Sequence, residues 1–65
     1  MRIRLNGEEY ETESLTLSGL LGELNIVHER VAVEVNLKIV KRADRDHYRL
    51  REGDNIEIVN FVGGG

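Results

Sequence analysis

A single stripe of leucines limits how this chain of 65 residues can fold. Its members have the spacing i, i+3, i+4 and i+7: Leu17, Leu20, Leu21 and Leu24. That spacing predicts one face of a short α-helix, with Thr16 as its N-cap and Asn25 in the left-handed conformation that ends it. Most other apolar residues alternate with polar ones, as they do in β-strands. The sequence therefore predicts an α+β fold in which one helix packs on a sheet.

The first two strands are predicted to form a hairpin around Asn6-Gly7. Both residues tolerate the positive φ that a two-residue type I′ turn requires. With this pair at the tip, Ile3 lies opposite Tyr10. The same register sets two pairs of opposite charges across from each other, Arg4 with Glu9 and Arg2 with Glu11. Each pairing is worth roughly 0.2–1 kcal/mol, and a slip by one residue would lose all of them.

Three more strands are predicted further along the chain. Residues 31–36 carry three valines on one face, and residues 37–40 form a short edge strand after a turn at Asn36-Leu37. Residues 41–51 are strongly charged and are interpreted as a surface segment with one irregular helical turn. Residues 55–62 form the last strand. The result is a mixed sheet of four to five strands under one main helix.

The last strand is apolar on both of its faces. Ile56 and Ile58 share one face, and Val59 and Phe61 share the other. Strands of this kind are usually central in their sheet. Because one helix covers only one face of the sheet, we expect Val59 and Phe61 to be exposed on the open face. Exposed apolar patches commonly mark interaction sites.

Three glycines, Gly63, Gly64 and Gly65, follow that strand. Glycine adds no side chain to a core and loses the most backbone entropy on ordering. We therefore divide the chain into a folded domain, residues 1–62, and a flexible tail, residues 63–65. By itself the tail has two interpretations: a frayed terminus or cloning remnant, or an arm that enters the active site of another protein.

Composition excludes several classes of function. The net charge is −3, which argues against nucleic acid as a partner. There is no cysteine, so disulfides and thiolate chemistry are excluded, and we expect a cytoplasmic protein. His28 and His47 lie far apart without clustered acids, so no metal site is predicted. No serine lies in a nucleophile-elbow pattern, and no apolar run is long enough to cross a membrane.

Two charged clusters each leave two interpretations open. The basic residues Lys41, Arg42, Arg45, Arg49 and Arg51 are interrupted by acids, which favours a solvated, self-paired surface over a docking site for an acidic partner. The glutamates at positions 8, 9, 11 and 13 either keep a strand edge soluble or form a docking surface for a basic enzyme.

Taken in order, the motifs of this chain resemble the ThiS family of thiamine-pathway sulfur carriers. They are residues 1–8 (MRIRLNGE), 16–21 (TLSGLL), 31–36 (VAVEVN), 39–40 (IV) with Arg42, 53–59 (GDNIEIV), and the final Gly-Gly. The resemblance covers essentially the whole chain and implies the ubiquitin-like β-grasp fold. Two departures are small: Lys41 stands where family members often have proline, and Gly63 adds a third glycine.

The resemblance also implies chemistry at Gly65. An E1-like adenylyltransferase of the ThiF type would use ATP and magnesium to convert the Gly65 carboxylate to an acyl-adenylate. A sulfur donor, such as a cysteine desulfurase system, would then replace AMP and leave a thiocarboxylate. Thiazole synthase of the ThiG type would receive that sulfur. The carrier is then a co-substrate without catalytic residues or a bound cofactor of its own.

On this interpretation, Gly63 and Gly64 thread the partner's active site, and Val59, Phe61 and Val62 form the docking patch at its mouth. We expect a monomer when the chain is free. Two alternatives remain from the sequence. One is a sulfur carrier of the same fold for molybdopterin or tRNA thiolation, and the other is a ubiquitin-like modifier or interaction module.

Overall fold

Five strands form one mixed sheet, and one α-helix packs on it, in a computed structural model that describes residues 1–61. The strands are β1 (Arg2–Leu5), β2 (Glu8–Glu11), β3 (Val31–Val35), β4 (Lys38–Ile39) and β5 (Asn55–Asn60). Helix α1 spans Leu17–Glu23, and two 3-10 segments span His28–Arg30 and Arg42–His47. The strand order is β2-β1-β5-β3-β4, with β1 and β5 parallel. The predicted β-grasp architecture and the central place of the last strand are confirmed.

The first hairpin has the predicted register at every pair. Ile3 lies opposite Tyr10, Arg4 opposite Glu9 and Arg2 opposite Glu11. Arg2 forms an ion pair with Glu11, but the Arg4 guanidinium donates to the Gly7 carbonyl at 2.7 Å, and Glu9 contacts Arg2 instead. Asn6 and Gly7 take φ values of 50° and 86°, as a type I′ turn requires. The Asn6 side chain also accepts a hydrogen bond from the Ile58 amide at 2.8 Å. The turn therefore extends the short parallel contact between β1 and β5.

Helix α1 begins and ends where its sequence predicts. The Thr16 hydroxyl accepts from the Gly19 amide at 3.1 Å, and Asn25 takes a φ of 58° just after the helix. Leu17, Leu20 and Leu21 are fully buried, and burial of each stabilises the fold by about 1.5–3 kcal/mol, whereas Leu24 is only partly buried. The buried apolar core joins the helix to the inner face of the sheet: Ile3, Leu17, Leu20, Leu21, Val31, Val33, Val35, Val40, Leu50 and Ile56.

The second hairpin contains a strained residue. Asn36 and Leu37 take φ values of 52° and 72°, so Leu37 occupies the position that Gly7 holds in the first hairpin. Asn36 is held firmly, because its side chain donates to Asp54 and accepts from the Asn55 amide. A left-handed conformation costs a residue with a Cβ about 1–2 kcal/mol. The Leu37 side chain is 79% exposed, so its burial offsets little of the cost of the left-handed conformation.

Replacing Leu37 with glycine is therefore expected to stabilise the domain by about 1 kcal/mol, because glycine accepts this φ without strain. Urea unfolding followed by circular dichroism measures the change. The reciprocal variant Gly7→Leu is the matched control, and it should destabilise the domain by a similar amount. Equal stability of Leu37→Gly and the unaltered chain would contradict the strain.

Glu23, at the end of α1, ties the helix to the second strand and the loop that follows it. Its carboxylate accepts hydrogen bonds from the hydroxyls of Tyr10, Thr12 and Ser14, the last two at 2.7 and 2.8 Å. These bonds, first that of Tyr10, lower the pKa of Glu23 below its usual 4.5, and the hydrogen bond to Glu23 raises the pKa of Tyr10. One exposed carboxylate thus connects three polar side chains that precede the helix.

This arrangement predicts a pH dependence. Because the folded-state pKa of Glu23 is lowered, its contribution to stability is present above pH 4.5 and is lost as the pH falls through the folded pKa. Glu23→Gln should have a lower thermal midpoint at pH 7, and its difference from the unaltered chain should shrink below pH 4.5. Glu13→Gln removes the same charge nearby and is the control. A difference that is constant with pH would contradict this account.

Residues 41–51 depart from the prediction at one position. The segment is charged and mostly exposed, and it contains the expected irregular helical turn, Arg42–His47. Arg45, however, is buried, so the interpretation of every basic residue here as solvated is wrong. Its long side chain reaches backbone carbonyls that only the folded chain brings near. Within residues 1–61, no helix has the length and apolar character needed to cross a membrane.

Candidate docking site at the end of strand β5

An apolar patch lies on the face of the sheet opposite the helix. Val59 and Phe61 are 58% and 59% exposed, whereas Ile56 on the other face of the same strand is fully buried. Val59 of β5 lies opposite Ala32 of β3, and Ile39 of β4 lies opposite Glu34, two residues further along β3. The side chains of Ala32, Ile39 and Val59 therefore share the open face. The term apolar patch refers below to Ala32, Ile39, Val59 and Phe61.

An open hollow of about 290 Å³ adjoins the patch. Ala32, Ile39 and Phe61 contribute to its apolar lining, and charged side chains surround it: Glu29, Lys41 and Arg42. Arg42 and Glu29 form an ion pair at 2.8 Å across this rim. Both are exposed, so the pair adds little to stability. A hydrogen bond from the backbone amide of Glu29 to its carboxylate, followed by the charge of Arg42, lowers the pKa of Glu29.

The buried side chain of Arg45 forms part of the wall of this hollow. Only 4% of its surface is exposed, and its guanidinium donates to the carbonyls of His28 and Val31, each at 3.0 Å. Its Nε has no hydrogen-bond partner within the described chain. Burial, and then the charge of Arg42, lowers the pKa of Arg45. A buried cation therefore holds the start of β3 against the segment Arg42–His47.

The end of β5 is anchored to the same region. Strand β5 ends at Asn60, and the amide of Phe61 then donates to the carbonyl of Arg30 at 2.8 Å. The backbone is thus held up to Phe61, and its exposed ring lies on the apolar patch. Val62 and the three glycines come next in the sequence, so the chain continues from a residue that belongs to the patch.

Of the residues predicted for the site, the structure describes two. The exposure of Val59 and Phe61 on the open face is confirmed, and their role in docking stays a prediction. Val62, Gly63, Gly64 and Gly65 lie outside the described residues, as does the proposed boundary at residue 62. No group of three histidine, aspartate or glutamate side chains within residues 1–61 is placed to hold a metal ion.

Sequence reasoning missed two features of this site. The sequence predicts Ile39 only as part of an edge strand. Because Ile39 comes two residues after the turn Asn36-Leu37, it lies opposite Glu34, and its side chain therefore shares the open face of the sheet. Arg45 carried no recognisable signal, because its apolar neighbours come from distant parts of the chain.

The acidic residues of β2 are exposed, and Glu9 and Glu11 contact Arg2 at 4.0 and 3.5 Å.

Comparison with known proteins identifies one family. The sequence model of the ThiS family matches residues 3–65. The sulfur carrier protein ThiS of Bacillus subtilis (strain 168) is 34% identical over 65 residues, which cover 97% of this chain and 98% of that protein. A crystal structure of the thiamine biosynthesis protein ThiS from Geobacter metallireducens superposes with a TM-score of 0.85 at 30% identity, covering both chains fully.

A longer relative is also similar. The thiazole synthase of Paramagnetospirillum magneticum is 44% identical over 66 residues, which include all of this chain. The matched part is 20% of that protein, so this chain spans about a fifth of its length. A segment like this chain therefore occurs within a much larger protein that bears the name of a synthase.

Proposed function

The chain belongs to the ThiS family, and from this premise we propose that it is a sulfur carrier of thiamine biosynthesis. The observation that carries the proposal is the family match over residues 3–65, which includes both the described sheet and the glycines after it. The names of the B. subtilis and G. metallireducens relatives favour this pathway over molybdopterin or tRNA thiolation.

The proposed chemistry takes place at Gly65. A carboxylate is a poor electrophile, because its charge is shared between two oxygens. Its attack on the α-phosphorus of ATP, with magnesium in the partner's site, releases pyrophosphate and forms an acyl-adenylate. A thiol reductant releases hydrosulfide from the persulfide of the sulfur donor and is itself oxidised to a disulfide. The hydrosulfide then attacks the acyl carbon and forms the C–S bond as the C–O bond to AMP breaks. The product is a Gly65 thiocarboxylate, whose sulfur is nucleophilic.

The partners follow from that chemistry. An E1-like adenylyltransferase activates Gly65, a cysteine desulfurase system supplies sulfur, and thiazole synthase accepts it. The similarity to part of a thiazole synthase supports the last of these, because that protein combines a carrier-like segment with further chain. In this scheme the chain is a co-substrate, and its partners hold the catalytic groups.

The described structure suits this role. Phe61 is fixed by its bond to Arg30, and the apolar patch beside it is free to contact a partner. Three extended residues after Val62 span about 10 Å. Because glycine has no side chain, Gly63 and Gly64 fit a narrow channel. The patch docks the carrier, and the glycines place Gly65 at the reacting centre.

Intact-mass spectrometry tests the proposal directly. The chain is isolated from cells, or incubated with the E1-like enzyme, ATP, magnesium and a sulfur source. We expect its mass to increase by the difference between sulfur and oxygen, and fragmentation to locate the change at Gly65. Conjugates to lysine would indicate a ubiquitin-like modifier instead. An unchanged mass under all these conditions would refute the carrier function.

A substitution tests the docking surface. Val59→Asp places a charge in the centre of the apolar patch and should weaken binding to the E1-like enzyme by tenfold or more, an effect of about 1.4 kcal/mol or above. Calorimetry or fluorescence titration measures the affinity. Leu15→Asp is the matched control, because Leu15 is also 58% exposed but does not belong to the patch. Equal weakening by both variants would contradict docking through Val59.

A further inference from the structure

Within residues 1–61, no strand pairs with the outer edge of β3 at its beginning. Strand β4 has only two residues and pairs with Glu34 and Val35. Beyond them, the Val33 carbonyl accepts from the Val40 amide, and the Val31 carbonyl accepts from the Arg45 guanidinium. Arg45 thus replaces a missing strand at this edge, where an unmet carbonyl would otherwise be exposed or buried without a partner.

The same guanidinium also holds the residues just before β3. One of its nitrogens bonds to the carbonyl of His28 and another to that of Val31, and Arg30 lies between these two positions. The carbonyl of Arg30 is the acceptor for the Phe61 amide. Arg45 is therefore connected to Phe61 through the short backbone stretch 28–31, which the guanidinium holds at both ends and the Phe61 amide bonds in between.

We propose that Arg45 is a positioning residue, which fixes the backbone at Phe61 and thereby the point on the domain from which the chain leads to Gly65. The functional part of this inference rests on the proposed carrier role. A planar guanidinium suits the task, because its fork of donors holds two carbonyls in one geometry. Its buried charge is costly, and an apolar residue of similar size often preserves overall stability at such positions.

The local effect is measured by amide hydrogen exchange with NMR. In Arg45→Met we expect the Phe61 amide to exchange at least tenfold faster, while the Ile58 amide in the same strand and the urea midpoint change little. Arg45→Lys should also fail to protect Phe61, because one ammonium does not reproduce the fork. Arg49→Met removes a positive charge from an exposed position in the charged stretch of residues 41–51 and should leave the Phe61 amide protected. Unchanged Phe61 exchange in Arg45→Met, or equally faster exchange at Ile58, would overturn the proposal.

The functional effect is measured as adenylylation by the E1-like enzyme. Because Ala32, Ile39 and Val59 of the apolar patch are held by strand pairing and only Phe61 is loosened, Arg45→Met should raise KM by no more than about threefold and lose about tenfold in kcat, as expected when a reacting group is misplaced. A rise in KM with unchanged kcat would overturn the positioning role. If the unaltered chain is not adenylylated at all, the carrier function fails, and the exchange experiment still decides the structural part.

Discussion

Removing Gly64 and Gly65 should abolish thiocarboxylate formation and leave the stability of the domain unchanged. The buried core lies between Ile3 and Ile56, so its packing does not depend on these glycines. The proposed reaction, in contrast, needs a carboxylate that reaches the adenylyltransferase's reacting centre. Without the two glycines the new terminal carboxylate lies about 7 Å short of that position. Intact-mass analysis after incubation with the enzyme, ATP and sulfur measures the loss.

The shortened chain supplies its own control. It keeps Val59 and Phe61, so it should still bind the enzyme and competitively inhibit loading of the full chain. Adding Val59→Asp to the shortened chain should remove that inhibition. Sulfur incorporation by the shortened chain would contradict the division between a docking patch and a reactive tail. Inhibition that persists when Val59→Asp is added would contradict it as well.

Replacing Leu20 with alanine should leave much of the chain unfolded at 25 °C. Leu20 is completely buried in the middle of the leucine stripe. Such a substitution removes buried apolar surface and leaves a cavity, at a cost of about 2–5 kcal/mol. A core of this size rarely supplies more than about 3–5 kcal/mol in total. Circular dichroism and urea unfolding should therefore show a strongly lowered midpoint and a populated unfolded state.

Leu37→Ala is the matched control for that experiment. Leu37 is 79% exposed, and alanine keeps the Cβ that makes its backbone conformation unfavourable. Its stability should change by no more than about 0.5 kcal/mol, as for most surface positions. Similar losses from both alanine variants would show that the helix is not held by burial of its stripe.

Local patterns predicted most of the fold. The register of the first hairpin follows from two turn residues and the pairs beside them, and the ends of α1 follow from a cap and an asparagine close to it. These features depend on residues that are near one another in sequence. The central position of β5 was also predictable, because its two apolar faces indicate a strand with neighbours on both sides.

The candidate site was predictable only in part. The exposure of Val59 and Phe61 follows from the alternation of β5 and from having one main helix to cover the sheet. The hollow beside them depends on how β4 and the segment Arg42–His47 pack against β3, which no local pattern specifies. Arg45 was assigned to the solvated surface because charge alone indicates exposure.

The sequence by itself determined the turns, the helix, the register of the first hairpin and the family, since each is encoded by neighbouring residues or by motifs in order. Only the tertiary structure decided which polar groups meet. Arg45 bonds to Val31 across 14 positions, and Asn6 bonds to Ile58 across 52. The Arg45 guanidinium could donate to many carbonyls, and the Asn6 side-chain oxygen could accept from many amides; the packing of the core selects the partner that each of them bonds. That selection makes the end of β5 a firmly anchored strand beside an exposed apolar patch.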